Sequence, residues 1–188
     1  MKKLLNPFVY YSGGTTLCVG ILAMTVTVLI AGFTGQTFRG MLSYGLGDTA
    51  CWRLAIHLFG GWIIFSLLLY AASRAFSQSK VRFIDIAGNQ ALAKAPALLL
   101  LVFNSFFAEQ IMDEIESLIH VSATNLQEIP SAMLLFAGIV SIIDIIWFFA
   151  WSWKGFSIAA NMHGRRAVGI YIVCFLFADA LSGFVCRI

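Results

Sequence analysis

Charge is what this sequence has least of. Asp, Glu, Lys and Arg supply 11% of its 188 residues, against about 25% in ordinary soluble domains. With 60% hydrophobic residues and a mean hydropathy of +0.88, a soluble chain of this length has nowhere to hide its hydrocarbon, and a bilayer is the natural solvent. Prolines number three, and none stands in the middle of a hydrophobic block. The cysteines, Cys18, Cys51, Cys174 and Cys186, form no CxxC pair and no His/Cys cluster, which argues against a zinc site. HExxH and GxSxG are missing, and with them the signatures of a zinc protease and of a nucleophile turn. Basic residues lie between hydrophobic blocks without aromatic clustering, so nucleic-acid binding has no support. No enzyme activity and no cofactor is expected.

What is present is apolar sequence in blocks of spanning length. A membrane helix needs about 20 largely apolar residues. Leu17–Phe33, Leu54–Ala75, Met133–Trp153 and Ala167–Cys186 qualify alone. Pro96–Ala108 is too short and reaches spanning length only when extended to about 95–115. Pro96 then suits a first helical turn, and Lys94 snorkels to the headgroups. The first block runs on into Phe33 without a cleavage site, so it reads as a retained span and not a signal peptide. The expected fold is all-α: one domain over 1–188, a polytopic bundle with spans at about 17–33, 54–75, 95–115, 133–153 and 167–186, plus short interfacial helices.

The cations choose the orientation. With five spans and a cytoplasmic N-terminus, Lys2, Lys3, Arg74, Lys80, Arg82, Lys94, Lys154, Arg165 and Arg166 lie inside, and Arg39, Arg53 and Arg187 lie outside. The positive-inside rule favours that arrangement. It places the chain in the cell inner membrane with its C-terminus outside. A re-entrant Pro96–Ala108 would flip everything after it. Among the connections, Gly35–Ala50 is expected at the outer interface. Val81–Ala93, with Phe83, Ile84 and Ile86 beside Arg82 and Asp85, reads as an interfacial helix on the inner surface. Ile111, Ile115, Leu118 and Ile119 repeat at helical spacing and extend the third span outward. Trp62 and Trp147 fall deeper than the other tryptophans and are expected to pack between helices.

Ionisable groups inside a bilayer mark a site or a structural pair. Asp144 in the fourth span and Asn104 in the third lie roughly 13 Å and roughly 12 Å from the inner ends at about 1.5 Å per residue, deep enough to share a hydrogen bond. Asp179 is nearer the outer side, with His57 and Arg53 as expected partners. Two readings stand: a polar cavity or ion pathway, or interhelical glue of about 0.6–2 kcal/mol per contact. His57, His120 and His163 fall on different sides and do not converge on a metal. Glu109, Asp113, Glu114 and Glu116 are a solvated helix face or a weak divalent-cation site. Lys154, His163, Arg165 and Arg166 make a basic inner loop that signals topology and attracts anionic lipid. Cys51 and Cys186 share an outer depth, as a disulfide in an oxidising compartment or as small fillers.

Three strings carry a resemblance: Asn6-Pro7-Phe8 near the start; Asp85-Ile86-Ala87-Gly88-Asn89-Gln90-Ala91-Leu92-Ala93-Lys94-Ala95-Pro96 before a run of leucines; and Trp151-Ser152-Trp153-Lys154-Gly155-Phe156-Ser157, then Asn161, His163, Gly164 and Arg165-Arg166. With five spans, this resembles a prokaryotic member of the Yip family, the Ypt/Rab-interacting membrane proteins. In eukaryotes that family is associated with vesicle traffic, small GTPases and partner membrane proteins. The resemblance implies a non-enzymatic scaffold or adaptor in membrane organisation, with the lipid bilayer and other membrane proteins or copies of itself as partners, contacted through Val81–Lys94 and Lys154–Arg166. It carries over no catalytic residues. The alternative function is a small solute or ion transporter or channel using Asn104, Asp144 and Asp179.

Overall fold

The computed structural model describes residues 7–9, 13–38, 41, 44–47, 49–77, 79–122 and 132–185. A 3₁₀ turn, Pro7–Val9, precedes α1 (Gly14–Thr34), a hairpin of β1 (Gln36–Phe38) and β2 (Tyr44–Leu46), α2 (Cys51–Phe76), α3 (Phe83–Ala93), α4 (Ala97–Ser122), α5 (Ala132–Ala160) and α6 (Arg165–Val185). Five helical stretches are long and apolar enough to cross a bilayer: Gly14–Thr34, Cys51–Phe76, Phe83–Phe107, Leu135–Ala160 and Arg165–Phe184. The protein is therefore an all-α, multi-pass helix bundle.

The third span differs from its expected bounds of 95–115. It begins at Phe83 and is built from α3 and the first part of α4. Val81–Ala93 is thus not an interfacial helix. Ile86 through Ala93 are all buried, and 72% of the third span's apolar window lies inside the protein, against 11% of the fourth's. The third span is the centre of the bundle and the fourth is peripheral. Its composition explains why. Ala87, Gly88, Ala91 and Ala93 are small, and small residues let helix backbones approach closely where lipid offers no hydrophobic drive for packing. A Cβ on Gly20 of α1 would lie 2.6 Å from the backbone of Ala91 and Leu92, and one on Gly88 would lie 2.9 Å from the backbone of Gly13 and Leu17. Since Gly13 meets Gly88 and Gly20 meets Ala91, α3 runs parallel to α1, as the first and third of five spans must.

The ends of the bundle sort the charges. Ser77 and Ser79 at the end of α2 hydrogen-bond the Ala160 carbonyl at the end of α5, and Phe8 packs on Trp151. Arg74, Lys80, Arg82, Arg165 and Arg166 thus share one end of the molecule. At the other end, Gln36 donates to the Leu101 carbonyl at 3.1 Å, and His57 Nδ1 lies 3.1 Å from the Phe38 carbonyl. In the Gly35–Ala50 connection at this end, the described residues Gln36, Thr37, Phe38 and Met41 are buried against the helices. Trp62 sits between helices as expected, donating to the Ala87 carbonyl at 2.9 Å.

Replacing Gly20 with Leu should destabilise the fold by about 1–3 kcal/mol through overpacking, read as a lower unfolding midpoint in detergent. Gly138→Ala, at a position with nothing within 4 Å of a Cβ, should not lower it. Equal losses at both sites would contradict the close approach of α1 and α3.

Candidate functional site

The break between α3 and α4 follows from Pro96. Proline has no N–H, so the i→i−4 ladder cannot continue through it. The chain closes three-residue bonds instead. Ala95 N–H donates to the Leu92 carbonyl at 3.0 Å, Ala97 N–H to the Lys94 carbonyl at 3.2 Å, and Leu99 N–H to the Pro96 carbonyl at 2.9 Å. Hydrophobic blocks without a proline in the middle were expected. The span that runs Phe83–Phe107 has one, and Lys94 stands beside it.

Lys94 does not snorkel. It is 6% exposed, and Ala91 and Ala93 beside it are fully buried. Its ammonium donates to the Met41 carbonyl at 3.3 Å and stands 5.4 Å from the centre of the Phe148 ring. It also feels the charges of Asp144 and Asp179, neither of which forms a direct ion pair with it among the described residues. Asp144 lies four residues before Phe148 on α5, so both face Lys94 from one side of that helix. Asp144 is 8% exposed. Asp179 on α6 accepts the Met41 N–H at 3.1 Å.

Met41, midway between the two strands, is therefore the closing piece. Its carbonyl meets Lys94 and its N–H meets Asp179. Its side chain reaches the level of Gly61 and Ser182, where a Cβ on Gly61 would lie 3.3 Å from Sδ. Gly61 is roughly 15 Å along α2 from Cys51 at about 1.5 Å per residue. The hairpin thus sends one residue deep between α2 and α6, over the charged centre.

On the other side of Lys94 a polar belt ties the helices. Gln90 Nε2 donates to the Ser152 carbonyl at 3.1 Å, Asn89 Nδ2 to the Gly155 carbonyl at 2.9 Å, and Tyr171 to Ser152 Oγ at 2.7 Å; Ser152 in turn donates to Gln90 Oε1. Asn89 Oδ1 and Ser66 Oγ are buried without a partner among the described residues. The belt joins α3, α5 and α6 as interhelical polar contacts do in bilayers.

Of the expected site residues, Asp144 and Asp179 lie near enough to act on the Lys94 charge; Asp144 is buried and Asp179 exposed. Asn104 does not join them: it is half-buried on α4 and, among the described residues, makes no hydrogen bond to Asp144. The expected partners of Asp179 are otherwise engaged, His57 with the Phe38 carbonyl and Arg53 over the Trp52 ring at 5.2 Å. Lys154 lies within α5, which runs on to Ala160, so the inner connection is only Asn161–Gly164. His163, Arg165 and Arg166 are exposed there, remote from Lys94. His57 and His163 stand at opposite ends. Cys51 is a free thiol. Cys186, Lys2, Lys3, Arg39 and Arg187, and the side chains of Glu109, Glu114, Glu116 and His120, lie outside the described residues. The sequence reasoning missed Lys94, Asn89 and Gln90 as interior groups. The signal was the small-residue run around them, which marks a helix built to be enclosed. Comparison with protein-family models, curated proteins and solved structures found no match.

Lys94→Met leaves Asp144 facing no cation, and the double variant Lys94→Met/Asp144→Asn removes both charges. The double variant should be more stable than the sum of the single losses by about 0.5–3 kcal/mol, measured by unfolding of each variant in detergent. Strict additivity would show that the two charges do not sense one another.

Proposed function

We propose that this is a non-enzymatic, multi-pass membrane protein that binds a small cation, the proton included, at the centre formed by Lys94, Asp144 and Asp179, and passes it across the bilayer. One observation carries the reading: a buried lysine beside a proline break in the central span lies within electrostatic reach of carboxylates on two other spans, Asp144 buried and Asp179 exposed. Charges are expensive in a bilayer and by default mark ion or proton paths. Broken helices are where transporters hold their ions. With both carboxylates ionised, one positive charge faces two negative ones, which suits a monovalent cation. The Met41 peptide occupies Lys94 and Asp179, so this arrangement is the closed one, and withdrawal of the hairpin frees both groups. By the positive-inside rule the end bearing Arg74, Lys80, Arg82, Arg165 and Arg166 faces the cytoplasm of a cell inner membrane, with the N-terminus inside and the C-terminus outside.

A second reading is the Yip-type adaptor. It is favoured by the outward face of α5, where Ile139, Ile142, Ile143 and Ile146 are all exposed and available to a neighbouring helix or to lipid. Its contact surface is then that face together with Asn161–Arg166. Within Val81–Lys94, Ile86 through Ala93 are buried, which leaves the exposed Arg82, Phe83 and Ile84 as the part of that segment open to a partner.

Reconstitution into liposomes separates the two readings. Under imposed H⁺, Na⁺ or K⁺ gradients, the cation reading expects flux above protein-free liposomes for at least one ion, lost in Lys94→Gln and in Asp144→Asn. Background flux for all three ions, or variants that run at the wild-type rate, would remove it and leave the adaptor.

A further inference from the structure

At the cationic end of the bundle a cleft of about 290 Å³ opens between the end of α2, the α5–α6 connection and the start of α6. We infer that this cleft binds a phosphate group, presented by an anionic phospholipid of the leaflet it faces. Arg166 and His163 line it, and among the described residues no acidic side chain does. The Arg166 guanidinium stands 5.6 Å above the Phe76 ring, which places its planar fork at the cleft wall. That fork matches the oxygens of a phosphate. Gly164, at φ +86°, turns the chain into α6, and the first ladder bond runs from Val168 N–H to the Gly164 carbonyl at 3.2 Å. The N–H groups of Arg165, Arg166 and Ala167 precede that bond and have no carbonyl partner inside the helix. Arg166 and Ala167 belong to the cleft, so the positive end of the helix dipole adds to the guanidinium.

The facing wall is hydrogen-bonded to the end of α5. Ser77 Oγ and Ser79 Oγ lie 2.7 and 3.2 Å from the Ala160 carbonyl and 2.8 Å from each other. Phe76 and Met162 give the cleft an apolar rim at the level where the spans end. A free phosphate ion shares the headgroup's chemistry. The depth of the cleft, its apolar rim and the surrounding Arg74, Lys80, Arg82 and Arg165 favour the lipid, because such cations draw anionic headgroups to a leaflet surface.

Native mass spectrometry of the full chain, released from nanodiscs of phosphatidylglycerol mixed equally with a phosphate-free diacyl glycolipid, reads which lipid is kept. Phosphatidylglycerol should be retained over the glycolipid by about fivefold or more, the gain expected from one cation near the surface. Arg166→Gln should abolish that preference, and His163→Ala, an exposed substitution, should weaken it. Arg165→Gln removes the same charge one residue away, outside the cleft lining, and should lower the preference far less than Arg166→Gln does. A second arm adds inorganic phosphate to nanodiscs of glycolipid alone. A rise in unfolding midpoint that Arg166→Gln removes, without any lipid preference in the first arm, keeps the phosphate site and assigns it to the free ion. Equal loss in Arg165→Gln and Arg166→Gln, or neither lipid preference nor a phosphate effect, overturns the inference.

Discussion

An ammonium group inside hydrocarbon has to be met by acceptors from the protein, because the bilayer core holds no water to supply them. Lys94 imposes that requirement on four other elements. The hairpin answers with the Met41 carbonyl. α5 answers with the Phe148 face and the charge of Asp144. α6 answers with Asp179, which reaches the same peptide from its N–H side. α1 makes room, since Gly20 lets the third span come close enough to be enclosed. Remove the lysine and each of these features loses its electrostatic reason while keeping its packing reason.

The constraint also explains why the hairpin is more than a connection. A loop between two spans usually stays at the surface, where its backbone groups find water. Met41 instead lies deep between α2 and α6, and its peptide groups are satisfied by the two side chains that need partners there. Anchors further out hold the strands in place: Gln36 on the Leu101 carbonyl, His57 on the Phe38 carbonyl, and Thr49 on Thr37. The arrangement is reciprocal, since a buried charge and a buried loop each cover the other's unsatisfied groups.

The bundle was legible in the sequence because hydrocarbon length and apolarity decide a span almost alone, and four of the five blocks stand close to their expected places. The third was misjudged at its start. Asn89, Gln90 and Lys94 lower its apolarity, and a polar helix with a proline after it looks like a surface element until its small residues are weighed as packing contacts. Asp144 and Asp179 were visible as costly intramembrane groups. Their common partner was not, because a lysine near a proline at the edge of an apolar block reads as a headgroup residue. The pairings of Asn104 with Asp144 and of His57 with Asp179 rest on depth, and depth says nothing about the direction a side chain takes around its helix. The inward path of the hairpin left no mark in composition: Gly35–Ala50 is glycine-rich and mixed, and only its hydrogen bonds reveal what it covers.

The central claim is that the kink carrying Lys94 lies in the hydrocarbon. Leu99, three residues past Pro96 and 63% exposed, faces outward from the same break and reports its depth. A bimane probe on Leu99→Cys, in a chain whose four native cysteines are replaced, can be quenched by lipids brominated at successive positions along the acyl chain. Strongest quenching by bromines deep in the chain is the outcome expected of a span running Phe83–Phe107. Strongest quenching by a headgroup-level quencher would put Lys94 at the surface and contradict the account.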